Sequence, residues 1–277
     1  MARWPSPAAV EETVVGFQAL GARTRRLPAS RCLRNSHAPS AGECNLVTHI
    51  TETTPAGLAR ELAEAGTWLG DRDSRIQVGP ASAAAEPALL LAGWRYRSTE
   101  LALVLTGPAP PLPPASVTLT AAATRDDWEQ LGRLLRMDHE EEAATEGRVP
   151  VPPAHTRQKL ASLRAKAPAA RYWIARSAGT PCGFVASWPG HGDMGMVEDL
   201  FVHPDHRRRG IATRMLGHAV ADARNRAGTP PEGPFPVLIR AAADDEPKHL
   251  YHRLGFEPAA VLRSYQGPTG DGPATAE

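Results

Sequence analysis

The sequence predicts a mixed α/β (α+β) fold, and three observations carry that prediction. Segments of strand character alternate with amphipathic helices along most of the 277 residues. The run Val197–Ala212 reads as a buried strand, a short turn set by Pro204, and a helix opened by Gly210. The stretch Gly107–Ser116 has five prolines in ten residues, which cannot supply ladder or helix donors and reads as an extended connector. It divides the chain into residues 1–106 and 117–277, each of ordinary domain size.

The elements follow in order. The first forty residues, rich in Arg, Pro and Ser, show no clear periodicity and are expected to be partly disordered. Residues 45–50 read as a strand. Thr54 caps a helix with Pro55 at its first position and Leu58, Leu62 and Leu69 on its apolar stripe. Residues 75–78 form a short strand, 81–91 a helix stopped by Gly93, and 101–105 an apolar strand. Beyond the connector, 117–120 is a strand and Thr124–Asp127 a capping-box-like start to a helix bearing Trp128, Leu131, Leu134 and Leu135. A polar stretch from His139 to Pro153 leads to a helix around 158–166. Strands at 172–175 and 183–188 are joined by a turn at Gly179–Pro181. A strand at 194–202, a helix at 211–224, a strand at 235–241, a short helix stopped by Gly255 and a strand near 260–265 complete the chain.

Composition narrows the function classes. A formal net charge of +1 gives no general attraction for polyanions, so no nucleic-acid role is expected. Cys32, Cys44 and Cys182 lie far apart without metal-ligand spacing and read as reduced thiols of a soluble, cytoplasmic protein. No apolar run approaches the roughly 20 residues of a membrane span, so no membrane partner is expected.

The chemistry concentrates in Arg207-Arg208-Arg209-Gly210-Ile211-Ala212. A helix start offers unpaired amides and the positive end of a dipole, glycine permits close approach, and arginines add attraction at the rim: a cradle for a pyrophosphate. With Leu200-Phe201-Val202-His203-Pro204 before it and Leu250-Tyr251-His252-Arg253-Leu254-Gly255-Phe256 after it, this segment resembles the GNAT superfamily of N-acetyltransferases. That family's acetyl-CoA motif, Arg/Gln-x-x-Gly-x-Gly/Ala, is matched by Arg207, Gly210 and Ala212. The resemblance covers about Val117 to Gln266 and implies a GNAT fold, a central mixed twisted sheet flanked by helices. Residues 1–106 look like a smaller, degenerate and non-catalytic GNAT-like half without the motif, expected to cover or shape the acceptor cleft. One departure is Asp244, where many members place asparagine.

The resemblance further implies acetyl transfer from acetyl-CoA to a primary amine by direct attack. Leu200, Phe201, Val202, Arg207, Arg208, Arg209, Gly210, Ile211, Ala212 and Thr213 are then the cofactor-binding set, with the Val202 amide polarising the thioester carbonyl. Glu198 is the first choice for the base and Asp199 the near competitor, since a bulge would change which side chain points inward. Tyr251 is placed to protonate the departing thiolate. Each has a plainer reading: Glu198 as a structural carboxylate paired with an arginine, Tyr251 as a core residue. His203, Asp205 and His206 lack a fourth ligand of suitable spacing, so no metal is expected. The acidic run Glu140–Glu142 reads as a solvated face or as an attractor of a cationic amine. Trp94–Arg97 reads as a strand edge rather than a base-stacking cluster. The acceptor expected is a small-molecule or amino-acid-like amine, with a homodimer as the assembly considered. The alternatives are a protein lysine or N-terminal acetyltransferase and a non-catalytic acyl-CoA sensor.

Overall fold

Ser6 accepts a hydrogen bond from the Ala9 amide and Pro7 sets the first helical φ, so the chain begins with helix α1 (Pro7–Ala19). The computed structural model describes residues 4–70, 72–111, 117–145, 147–167, 169–228 and 233–267. The helix buries Val10, Val14 and Phe17, one apolar stripe at i, i+4 and i+7, in a core cluster where the Phe17 and Trp188 ring centroids lie 5.9 Å apart. Strands β1 (Arg23–Arg26) and β2 (Arg31–Arg34) follow. The first forty residues are therefore largely ordered, contrary to the expectation from their composition. Their arginines lie mainly on the exposed edge strand, while a few apolar residues suffice to dock α1.

The remaining elements are β3 (Leu46–Thr48), α2 (Pro55–Leu69), β4 (Arg75–Val78), α3 (Glu86–Leu91), β5 (Arg95–Leu105), β6 (Val117–Ala121), α4 (Arg125–Thr145), α5 (Pro153–Lys166), β7 (Arg171–Ser177), β8 (Thr180–Trp188), β9 (Gly195–Val202), α6 (Ile211–Ala227), β10 (Val237–Ala242), α7 (Pro247–Arg253) and β11 (Glu257–Gln266). Thr124 and Asp127 form the reciprocal capping box, with Asp127 N donating to Thr124 Oγ1 at 3.1 Å and Thr124 N to Asp127 Oδ2 at 2.9 Å. α4 then runs on to Thr145 rather than giving way to a loop at His139. Glu and Ala sustain a helix, and Leu131, Leu134 and Ala143 bury its inner face. Ala178 and Gly179, both at positive φ, make the two-residue β7–β8 hairpin turn.

All strands among the described residues join one mixed sheet, ordered β1-β2-β3-β4-β11-β5-β10-β9-β8-β7-β6. Helices α1, α4 and α5 cover one face of the β6–β10 region and α6 the other. At the centre, each half contributes a strand to the other. β5 pairs antiparallel with β10 and β11, and β11 pairs antiparallel with β4 and β5. About this β5–β11 pair the unit β3-α2-β4 mirrors β9-α6-β10, each a parallel pair joined through a helix. The last two pieces of each unit match as well, α3 and β5 against α7 and β11.

The two helix starts differ, and the difference is chemical. At α2 the Thr54 hydroxyl caps the Gly57 amide at 3.2 Å, and Pro55 has no amide to offer. The Glu52 carboxylate binds Thr54 N and Oγ1 at 2.8 Å each, and a Cβ on Gly57 would lie 2.3 Å from that carboxylate. The protein's own anion therefore sits at the α2 N-terminus.

α6 lies close on the sheet because Gly183 of β8 has no side chain. A Cβ there would stand 2.6 Å from the Phe201 carbonyl oxygen and 3.1 Å from the Met215 sulfur. Gly183→Ala is expected to cost about 1–3 kcal/mol. The urea midpoint checks this; an unchanged midpoint would show that α6 can back away freely.

Candidate active site at the β9–β10 cleft

β9 and β10 pair only at Gly195–Val237 and Met196–Leu238. Beyond these residues both strands continue but no longer pair, so the sheet opens into a cleft whose β9 wall has unpaired backbone. On the other side of β9, Ala186 faces Glu198 and Phe184 faces Phe201, which leaves Val185 opposite both Asp199 and Leu200. This is a β-bulge, and Asp199 takes φ +56° to make it. The bulge reverses the alternation of the strand. Without it Leu200 and Val202 would follow Met196 toward α4. With it they pack on the α6 side, and Phe201 turns to Phe184 with ring centroids 5.8 Å apart.

Past β9, Arg207 closes a one-turn 3₁₀ segment and Arg208 adopts φ +61°. Gly210, at φ +74°, caps α6 without a side-chain hydrogen bond. The first-turn amides of Ile211, Ala212 and Thr213 are thus open to an anion at the positive end of a 17-residue helix. Arg208 and Arg209 are exposed at the rim. Arg207 behaves differently: its Nε donates to the Val202 carbonyl at 2.9 Å, and its other nitrogens bind both oxygens of Glu141 on α4, Nη2 at 2.6 Å. It ties the loop to the end of β9 and to α4.

The floor of the cleft on the α4–α5 side is charged. Arg240 of β10 donates to Glu198 Oε2 at 2.8 Å, across the gap where the ladder has ended, and to Glu100 Oε2 of β5 at 2.6 Å. Glu198 is 12 % exposed; burial raises its pKa, Arg240 opposes that, and the Asp199 charge adds to it. Asp138 on α4 is pushed up to about 7 by burial and by Glu142, Asp199 and Glu141. Tyr251 is buried against Phe256, and burial, with Glu198, Asp245 and Asp138 adding, raises its phenol well above the ordinary value. Glu198, Asp138 and Tyr251 thus share one electrostatic environment. Among the described residues no His, Cys, Asp and Glu group could hold a metal ion, and the His203 ring instead accepts the Asp205 amide.

Residues 168–258, which include the bulge, the helix start and Tyr251, match the family model of the acetyltransferase (GNAT) domain. This part of the chain is a GNAT acetyltransferase domain. The whole chain shares the GNAT fold of solved structures. A GCN5-related N-acetyltransferase from Kribbella flavida is 18% identical with a TM-score of 0.69, covering 97% of this chain and 98% of that one. A tandem GNAT protein from the clavulanic acid biosynthesis pathway is also 18% identical, with a TM-score of 0.53 over 87% of this chain and 79% of that one. A GCN5-related N-acetyltransferase from Sphaerobacter thermophilus gives 18% identity and a TM-score of 0.53, over 86% and 76%. At such identities the likeness is one of fold. No curated protein matches the chain.

In this domain Glu198 is held by Arg240 on the charged side of the cleft, Tyr251 is buried against Phe256, and the backbone of Ile211, Ala212 and Thr213 forms the uncapped start of α6. Glu198 is also the arginine-paired carboxylate of the plainer sequence reading, so the two readings meet in one residue. Sequence reasoning missed Arg240, Glu100 and Asp138. Arg240 carried a signal: a lone arginine inside the apolar strand Val237–Ala242 must find a buried anion. Asp138 carried none, because its surroundings are built by residues distant in the chain.

Proposed function

We propose that the protein is an acetyl-CoA-dependent N-acetyltransferase that acylates the primary amine of a small molecule by direct attack. The observation that carries this reading is the opened β9–β10 cleft ending on the uncapped α6 start. The two elements together offer free strand backbone for an amide-bearing arm and free helix amides for a pyrophosphate. Leu200, Phe201 and Val202 would line the arm; Gly210, Ile211, Ala212 and Thr213 would hold the phosphates, with Arg208 and Arg209 at the rim. Arg207 would act chiefly by fixing the loop, since Val202 and Glu141 already occupy its guanidinium.

Acetyl-CoA supplies the acyl group as an activated thioester. A lysine-like amine has a pKa near ~10 and must lose a proton before it attacks. Glu198 takes it, directly or through water; burial makes this carboxylate a stronger base than an exposed one, while Arg240 keeps it ionisable. Tyr251 stays protonated throughout the neutral range and donates to the departing sulfur. Residues 117–277 are the catalytic domain in this reading, 107–116 the connector, and 1–106 a half without a cofactor site, its equivalent helix start being filled by Glu52 and Thr54. Residues 112–116 of the connector lie outside the described residues. No described helix is long and apolar enough to cross a membrane.

The test is CoA release from acetyl-CoA, measured with and without a panel of primary amines, in the full chain and in Tyr251→Phe. Amine-dependent release is expected, with kcat lowered in Tyr251→Phe and the acetyl-CoA Kd little changed. Tight acetyl-CoA binding with no amine ever acylated would overturn the reading in favour of a ligand-sensing module.

A further inference from the structure

We propose that Glu141 is a positioning residue: its pair with Arg207 fixes α4, the helix over the Glu198 face of the sheet, against the cofactor loop. This role rests on the N-acetyltransferase reading of the same domain and adds a residue that governs acceptor use without touching the reacting atoms.

The three acidic neighbours at the end of α4 do different things. Glu140 turns back along its own helix to Arg136 Nε at 2.7 Å, and Glu142 lies 3.7 Å from Arg148 just past the helix end. Glu141 instead meets Arg207, 66 residues on along the chain. Both of its oxygens are engaged, Oε1 by Nη1 and Oε2 by Nη2, the second at 2.6 Å. This parallel fork fixes direction as well as distance. The guanidinium is itself held: its Nε donates to the Val202 carbonyl at 2.9 Å, and it stands 5.8 Å from the centroid of the Phe201 ring. Arg207 is fastened to the end of β9, and α4 is fastened to Arg207.

What α4 covers gives this pair its consequence. The helix packs against β8 and β9. Met196 belongs to the core cluster of Leu131, Leu134 and Leu135 of α4, and Val197 to the cluster of α6. Strand alternation then puts Glu198 on the α4 side of β9. An amine that gives its proton to Glu198 must come in beside α4. Near the helix start, Arg176 of β7 donates to Asp127 Oδ1 at 2.8 Å and to Gln130 Oε1 at 2.7 Å. Glu141 is the other anchor, about 21 Å further along at 1.5 Å per residue. Between them Arg136 donates to the Val151 carbonyl at 2.6 Å, and the His139 ring meets Thr156 Oγ1 at 2.9 Å. Those two contacts join α4 to α5 and the segment before it, not to β9. Without Glu141 the far end of α4 keeps its helical neighbour and loses its fixed distance from β9 and the cofactor loop.

The two side chains are 43 % and 36 % exposed, and a pair so open to water contributes little to folding stability. Variants at Glu141 should therefore fold. Removing its carboxylate also returns a positive charge to the loop before α6, which favours bound phosphates. Loss of Glu141 thus acts in opposite directions on the two substrates: the cofactor is held as well as before or better, and the acceptor is used less well. A run of carboxylates that merely attracted a cationic amine would spread its effect over Glu140, Glu141 and Glu142 alike.

The experiment compares the full-length wild type with Glu140→Gln, Glu141→Gln, Glu142→Gln and Glu141→Asp. Three quantities are measured: amide hydrogen exchange of residues 138–145 without ligand, the acetyl-CoA Kd, and kcat/KM for the most rapidly acetylated amine of the panel. Glu141→Gln is expected to speed the exchange of these amides. It should leave the acetyl-CoA Kd within about twofold of wild type, or tighter, and lower the amine kcat/KM by about tenfold or more, the scale of loss from small misplacements remote from the chemistry. Glu141→Asp keeps the charge and shortens the reach by one methylene, so it should behave like Glu141→Gln. Glu140→Gln and Glu142→Gln should match wild type in all three. Equal losses in the three Gln variants, with Glu141→Asp as active as wild type, would overturn the proposal in favour of simple charge attraction. So would a Glu141→Gln variant with unchanged exchange and kcat/KM, or one that weakens acetyl-CoA and amine alike. Each of these leaves the N-acetyltransferase reading standing. A wild type that consumes no amine would overturn that reading, and the acceptor role of Glu141 with it.

Discussion

Glu198→Gln is expected to lower kcat by about 10²- to 10⁴-fold at neutral pH, the usual contribution of a positioned proton acceptor. The substitution keeps the shape, and the glutamine oxygen can still accept from Arg240, so unfolding midpoint and acetyl-CoA Kd should change little. In wild type the acid limb of kcat should lie above the ordinary carboxylate range, because burial, the largest influence, raises the Glu198 pKa. Activity requires the ionised form, so it grows as pH rises through that pKa. Glu198→Gln should flatten this limb. If Glu198→Gln retains the wild-type kcat at every pH, the proton goes elsewhere. Asp199 is then the next candidate on β9, and Asp138, raised to about 7, the next on α4.

The second large effect is expected at Arg240. This guanidinium holds Glu198 and Glu100 together, at 2.8 and 2.6 Å, in a part of the sheet where β9 and β10 no longer share backbone hydrogen bonds. Arg240→Met leaves two carboxylates facing each other with no counter-charge. Removing one partner of a buried ion pair typically costs about 3–5 kcal/mol, a large part of a domain's stability. The urea midpoint reads the loss. Without Arg240 the Glu198 pKa rises further, so the acid limb of kcat should move to higher pH and part of the activity should return in alkaline buffer. Combining Arg240→Met with Glu198→Gln should cost less than the sum of the two, because the second change removes the stranded charge. A stability equal to wild type for Arg240→Met alone would mean that the arginine neither braces the cleft nor sets the base.

Several elements were legible in the sequence because their signals are local. The Thr54 and Thr124 caps, the β7–β8 turn, the Gly210 helix start and the Gly255 stop each depend on a few neighbouring residues whose conformational preferences survive in the fold. Where local signals were weak, tertiary packing decided. α1 has little amphipathic signal in its composition yet is held by Phe17 and two valines in the core. The acidic run Glu140–Glu142 looked like loop and is the last part of α4, which places Glu141 against Arg207. β5 extends back to Arg95 because β11 pairs with it from Val104 to Arg95, a contact between residues far apart in the chain that no window of sequence contains.

The sequence by itself determined the fold class and the open, glycine-capped helix start of this protein. Both rest on periodicity, on prolines and glycines at set offsets, and on amides that a capless helix must leave open. Only the tertiary structure decided how the halves share strands, which way the bulge turns Glu198 and Asp199, and that Arg240 holds Glu198 and Glu100 together. The physical reason is that charge and burial are properties of what is near in space. A carboxylate in a strand reads the same in sequence whether it ends against an arginine, beside a buried phenol, or in water.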